Sequence, residues 1–259
     1  MGNIIRMDLY RLHKTVSYKV CLLTVALMNL VIGPMERGIY LLTKRMVGED
    51  DARWVGSMDF SGFLDRPFGT FDIIVVMLSI VWFTHADIEN GYIKNIAGQL
   101  PKKGYTVISK FITLIVHNLI FTAAALIGQT VGYMIVKNVN FTNGISTAAG
   151  HFCVRFLFMM AMSSLVLFLT TALGARTLGS IAAVLWGGGF LSLAYMGVDM
   201  LISKLFKLED FTLGNYMPDS LFHTSADDFE NGRGIIVGTA FCVVLLVLSI
   251  RIFNKSDVK

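Results

Sequence analysis

The chain has 259 residues, of which 54% are hydrophobic and 15% charged, with a mean hydropathy of +0.64. A soluble domain carries about 25% charge, so this composition excludes one; apolar runs of about 18 residues or more indicate membrane helices. Backbone groups in lipid must pair within a helix or a closed barrel, and these runs are too continuous for the alternating strands of a barrel. The expected fold class is all-α, a polytopic membrane protein with six transmembrane helices in one domain over 1–259.

In chain order, an amphipathic N-terminal helix comes first. Ile5, Leu9, Leu12 and Val16 recur at helical spacing, with Arg6, Arg11 and Lys14 off that stripe. Such a helix lies along the membrane surface with its basic residues near anionic lipid. It reads equally as a simple anchor or as a transmitting element. No cleavable signal peptide is expected, because the charged stretch is too long for an n-region. The first span is placed at about 16–40 with a bend near Gly33-Pro34, and the second at about 68–88.

The loop that follows runs from Asp87 to Tyr105. Ile88, Tyr92, Ile93, Ile96, Ala97 and Leu100 fall on one helical face, and Glu89, Asn90, Lys94, Asn95 and Gln99 face away. Asp87 suits an N-cap and Pro101 a helix stop. A short amphipathic helix so placed either docks in a groove of a partner or seals the bundle, and the residues alone leave both readings open.

The third span, about 107–136, carries His117, Asn118 and Gln129, and the fourth, about 151–173, carries Ser163 and Ser164. Intramembrane polar groups are functional suspects, although interhelical hydrogen bonding accounts for them more simply. Ala124, Gly128 and Gly132 form a small-residue ridge for close helix packing; its neighbour lies either in this chain or in another. The fifth span, about 178–203, contains Gly187-Gly188-Gly189, read as a close-packing point rather than a hinge. The aromatic and acidic stretch from Phe206 to His223 is expected to form short helices at the outer face, before a sixth span at about 234–253. Cys21, Cys153 and Cys242 all fall in apolar runs and read as packing residues.

With the N-terminus inside, the inner segments hold 12 basic and 4 acidic residues, and the outer ones 10 basic and 14 acidic. The short inner loops are rich in Lys and Arg, where the positive-inside rule is strongest. The expected location is the bacterial cytoplasmic membrane with both termini cytoplasmic. No Gly-x-x-x-x-Gly-Lys-Ser/Thr loop occurs, so the chain is not expected to bind ATP. The five histidines have no metal-ligand spacing, and no nucleophile elbow occurs. Catalytic residues, a metal and a nucleic-acid partner are therefore not expected.

The segment after the second span resembles the corresponding region of type-2 ABC exporter permeases. Glu89, Gly91, Ile93, Asn95, Leu100, Pro101, Lys103 and Lys110 match that family's pattern: an acidic residue, a glycine, an amphipathic helix, then proline, a basic pair and a lysine opening the next span. The amphipathic N-terminus, six spans and an outer helical element before the last span extend the resemblance over the whole chain. It implies that the loop is a cytoplasmic coupling helix seated in a separate P-loop ATPase. Asp87, Glu89, Gly91, Tyr92, Ile93, Ile96, Leu100, Pro101 and Lys103 would carry that contact. It further implies a second permease, identical or similar, and ATP with Mg in the partner ATPase, with no cofactor in this chain. Compact outer loops look most like permeases of bacteriocin- or lantibiotic-protection exporters. The substrate expected on that likeness is an amphipathic peptide. An ion-coupled secondary transporter, or a non-transporting assembly or sensor protein, is the alternative; charged residues near span ends (Glu36, Arg37, Asp72, Arg155, Asp199) count against ion coupling.

Overall fold

In the computed structural model, residues 2–47, 56–58, 60–92, 103–136, 139–141, 145–206, 212–223 and 231–255 are described. Helix α1 covers Gly2–Lys14 and breaks at Thr15, whose hydroxyl donates to the Arg11 carbonyl at 2.8 Å. Helix α2 then runs unbroken over Val16–Val47. At 1.5 Å per residue its 32 residues span ~48 Å. Pro34 lies inside it, so the helix continues through the place where a bend is expected from the sequence.

A six-residue helix α3 (Phe60–Asp65) and a 3₁₀ turn (Arg66–Phe68) lead into α4, Thr70–Glu89. Its 20 residues reach ~30 Å, the thickness of a hydrocarbon core. Helix α5 covers Gly104–Val136, and α6 covers Ile145–Leu167 before ending in a π turn at Phe168–Ala172. Helices α7 (Arg176–Gly187) and α8 (Leu191–Phe206) follow, then the short α9 (Pro218–His223) and the terminal α10 (Asn231–Lys255). Two three-residue strands, Gly56–Met58 and Val139–Phe141, pair in parallel beyond the helices.

Among the described residues five helices are long and apolar enough to cross a membrane, and a sixth span is made if α7 and α8 count as one. The chain is thus an all-α multi-pass membrane protein. The fifth span is not the single helix expected: α7 and α8 meet at 79°. Gly187 does pack closely, its Cβ position 3.2 Å from Ile74, but Gly189 adopts φ +69°, a left-handed conformation that ends the helix. Successive glycines lower helix propensity, and α7 and α8, ~18 and ~24 Å long, are each too short to cross alone.

The tightest packing is between α2 and α5. A Cβ on Gly128 or Gly132 would lie 2.3 Å from the carbonyl oxygen of Ala26 or Leu30. The small-residue ridge therefore has its neighbour within this chain, where the missing side chains bring two backbones together. Ala124, one turn earlier, is half-buried. The core proper gathers Val25, Ile73, Met77, Phe121, Phe158 and Met162 between α2, α4, α5 and α6.

One end of the bundle, called proximal here, collects α1, the end of α4, the starts of α5 and α7, and the end of α10; the Gly104 amide donates to Asn254 Oδ1 at 2.8 Å across it. The distal end holds α3, α9 and the paired strands. There Arg155 bonds Asp65 at 3.1 Å and donates to the Phe222 carbonyl. Phe222 is fully buried against Phe68, so α9 plugs the bundle end instead of lying loosely outside it. Phe206 to Phe211, the first part of the stretch expected to form short helices, is only partly covered: 207–211 lie outside the described residues.

Candidate functional site

The polar residues of the spans form bonds between helices. His117 Nε2 meets Ser79 Oγ at 2.6 Å, and His117 Nδ1 meets Asn118 Oδ1 at 3.0 Å. Asn118 donates to Ser163 Oγ at 3.1 Å, and Ser164 Oγ returns to its own helix at the Met160 carbonyl. This belt ties α4, α5 and α6 together. Gln129 is different: it is fully buried, and neither amide atom has a partner. Cys21 and Cys242 are buried, as packing residues should be, whereas Cys153 is exposed.

The chemistry concentrates at the proximal end, around Asp87. That residue lies in the last turn of α4, not at the start of a new helix, because α4 continues to Glu89. It is therefore no N-cap. Its carboxylate is fully buried and bonded on one oxygen by Arg11 of α1 and on the other by Lys110 of α5. Lys110 is itself 2% exposed, with Phe83 5.3 Å from its ammonium.

Asp8 of α1 completes the cluster. It is fully buried, accepts a 2.5 Å bond from Ser109 Oγ, and lies 4.0 Å from Arg11. Burial pushes its carboxyl above the ordinary carboxylate range, opposed mainly by the Lys110 charge and the Ser109 bond. The buried side chains of α1 are Ile4, Asp8 and Leu12; of the expected 5/9/12/16 stripe Leu12 is buried and Ile5 and Leu9 are half-buried. An apolar tally counts Asp8 as outward-facing, but its partners on α5 turn the helix about its axis. Val16 belongs to α2 and is 72% exposed.

The chain leaves α4 through Asn90 and Gly91; Gly91 has φ +64°, which glycine adopts without strain. Tyr92 resumes a helical conformation and packs under Arg11, whose guanidinium carbon is 3.4 Å from the ring centroid. Burial also raises the Tyr92 phenol above its usual range. Ile93, Ile96 and Leu100, expected on the same short helix, and Pro101, expected to stop it, lie outside the described residues. Lys103 sits in the turn entering α5, its carbonyl accepting from the Thr106 amide at 3.0 Å.

Glu89 was expected at the positive end of a helix. It instead ends α4, the negative pole, where a carboxylate is disfavoured. Two cationic partners compensate there: His85 at 3.0 Å when protonated, and Arg176 of α7 at 3.5 Å. Sequence reasoning did not single out Arg11, Asp8 or Arg176 as members of one site. The signal that could have found it is the pair Lys110 and Asp87, opposite charges 23 residues apart and each near a span end, which the sequence reading did not connect.

Among the described residues no group of His, Cys, Asp or Glu is placed to hold a metal. Compared with protein-family models and with curated proteins, the sequence matches none.

Proposed function

We propose that the chain is the membrane-spanning subunit of an ATP-driven exporter whose ATPase is a separate protein, with its termini and the 90–103 segment in the cytoplasm. The observation that carries this reading is the junction at Asp87. Asp87, in the last turn of α4 before that segment, is clamped to α5 by a buried ion pair and to α1 by a partly buried one. A force applied to the segment therefore reaches three helices without slack. Breaking a buried pair costs about 3–5 kcal/mol, more than a small displacement of the loop would supply.

In this reading ATP binding closes a pair of partner ATPases, their movement is taken up by the 90–103 segment, and the junction passes it to α1, α4 and α5. Two six-span chains, identical or similar, would enclose the pathway. An amphipathic peptide substrate, as for the bacteriocin-protection exporters, fits the apolar composition. Ion-coupled transport has one observation on its side: Asp72 is buried, and Asn29 donates to it at 2.9 Å. Its place in the first turn of α4 puts it at the span's end, not at the midplane where such transporters bind their ions.

The test uses Glu89. Glu89→Lys should sharply lower both the ATPase recovered with the chain from its own membranes and the ATP hydrolysis of that complex. The internal pair with Arg176 is lost too, so the swapped variant Glu89→Arg with Arg176→Glu is measured beside it. If the partner reads Glu89, the swap stays defective. Recovery of full activity in the swap, or a wild-type Glu89→Lys, removes the docking role.

A further inference from the structure

A cleft of about 270 Å³ opens at the proximal end, lined by Ser17, Trp82, His85, Ala86, Glu89 and Arg176. That is close to the lower end of small-molecule sites, about 300 Å³. Positions 82, 85, 86 and 89 recur on one face of α4, while Ser17 opens α2 and Arg176 opens α7. Because α4 matches the hydrocarbon thickness, its last two turns fall where acyl chains give way to headgroups. A tryptophan at that depth presents an apolar ring and a polar edge, and Trp82 is partly exposed there.

The charges in the cleft are complementary to a zwitterion. Arg176 and Glu89 have side chains 49% and 59% exposed and are 3.5 Å apart, a loose pair worth little in water. His85 Nε2 also lies 3.0 Å from Glu89, while its Nδ1 is buried with no hydrogen-bond partner. We propose that this cleft binds the headgroup of phosphatidylethanolamine, its phosphate on Arg176 and Ser17 and its primary ammonium on Glu89. An anionic phosphatidylglycerol would meet Arg176 equally well but would bring no cation to Glu89. A choline headgroup reaches Glu89 without an N–H to donate. Of these three, only the ethanolamine headgroup satisfies both charges with charge-assisted hydrogen bonds. The proposal stands apart from the exporter reading, since it invokes no ATPase.

The test is native mass spectrometry of the purified full chain, with no ATPase present, mixed with equal amounts of phosphatidylethanolamine, phosphatidylcholine and phosphatidylglycerol of the same acyl chains. Phosphatidylethanolamine should be retained preferentially. Arg176→Ala and Glu89→Gln should each reduce its retention about tenfold, the effect of one lost bond to a charged group. Arg176→Lys, which keeps the charge, should retain more than Arg176→Ala, and Arg37→Ala at the distal end should behave as wild type. Equal retention of the three lipids, a preference for phosphatidylglycerol, or unchanged retention in both Arg176→Ala and Glu89→Gln overturns the proposal.

Discussion

Replacing Lys110 by Met removes one of the two cations on Asp87 and nothing else of comparable size. Lys110 and Asp87 have side chains 1% and 0% exposed, so neither charge regains water when its partner is lost. Removing one member of such a pair costs about 3–5 kcal/mol. Lys110→Met should sit near ~3 kcal/mol, because Arg11 still reaches Asp87 and is itself 24% exposed. Asp87→Leu should sit near ~5 kcal/mol, since it leaves an ammonium buried beside the Phe83 ring. The double variant Lys110→Met/Asp87→Leu carries no stranded charge at either position. Exchange of a buried ion pair for apolar residues is often neutral or stabilising, so the double variant should be more stable than either single one. Arg11 then keeps Asp8, 4.0 Å away. Unfolding free energies in mixed micelles, read by helical circular dichroism, measure all four corners of the cycle. A double variant whose loss equals the sum of the single losses would refute the coupling, and a Lys110→Met loss under ~1 kcal/mol would refute the burial argument itself.

Two further predictions follow from the same packing. Asp8 holds its proton more tightly when α1 is docked than when it is released. Its contribution is therefore complete below the free carboxylate value of about 3.9 and is lost as pH rises through the raised, folded value. Distances between spin labels on α1 and α5 should lengthen over that rise, and Asp8→Asn should remove the dependence; an unchanged slope in that variant would assign it to another group. Gly132→Ala places a Cβ 2.3 Å from the Leu30 carbonyl oxygen, while Gly150→Ala meets nothing within 4 Å. The first should destabilise by about 1–3 kcal/mol through overpacking and the second should be neutral in the same micelle assay; equal effects would mean that the α2–α5 contact is not the limiting one.

What the sequence made legible was what depends on long averages. Five spans and the small-residue ridge stand out because lipid demands continuous apolar runs and close contact demands missing side chains. The same averaging concealed the break in the fifth span: α7 and α8 are apolar on both sides of Gly188, so hydropathy runs straight through a 79° turn. On α1 it missed Asp8. A hydrophobic stripe is a sum over side chains, and one buried carboxylate with three polar neighbours outweighed it. The helix after Asp87 was expected to start there because an aspartate followed by a polar-apolar alternation resembles a cap; the side chain had already been committed to Arg11 and Lys110.

That commitment changes how the 90–103 segment has to be understood. A capping aspartate would belong to the short helix and move with it. An aspartate locked into the bundle holds the end of α4 in place, and the chain changes direction at Gly91, whose left-handed backbone glycine adopts without strain. Tyr92 then lies against Arg11 and 3.5 Å from Asp8, so the first side chain beyond the glycine rests on the same junction. Through Arg11 the amphipathic N-terminal helix bonds the same Asp87 carboxylate that pairs with Lys110 of α5, and through Asp8 it accepts from Ser109 of that helix.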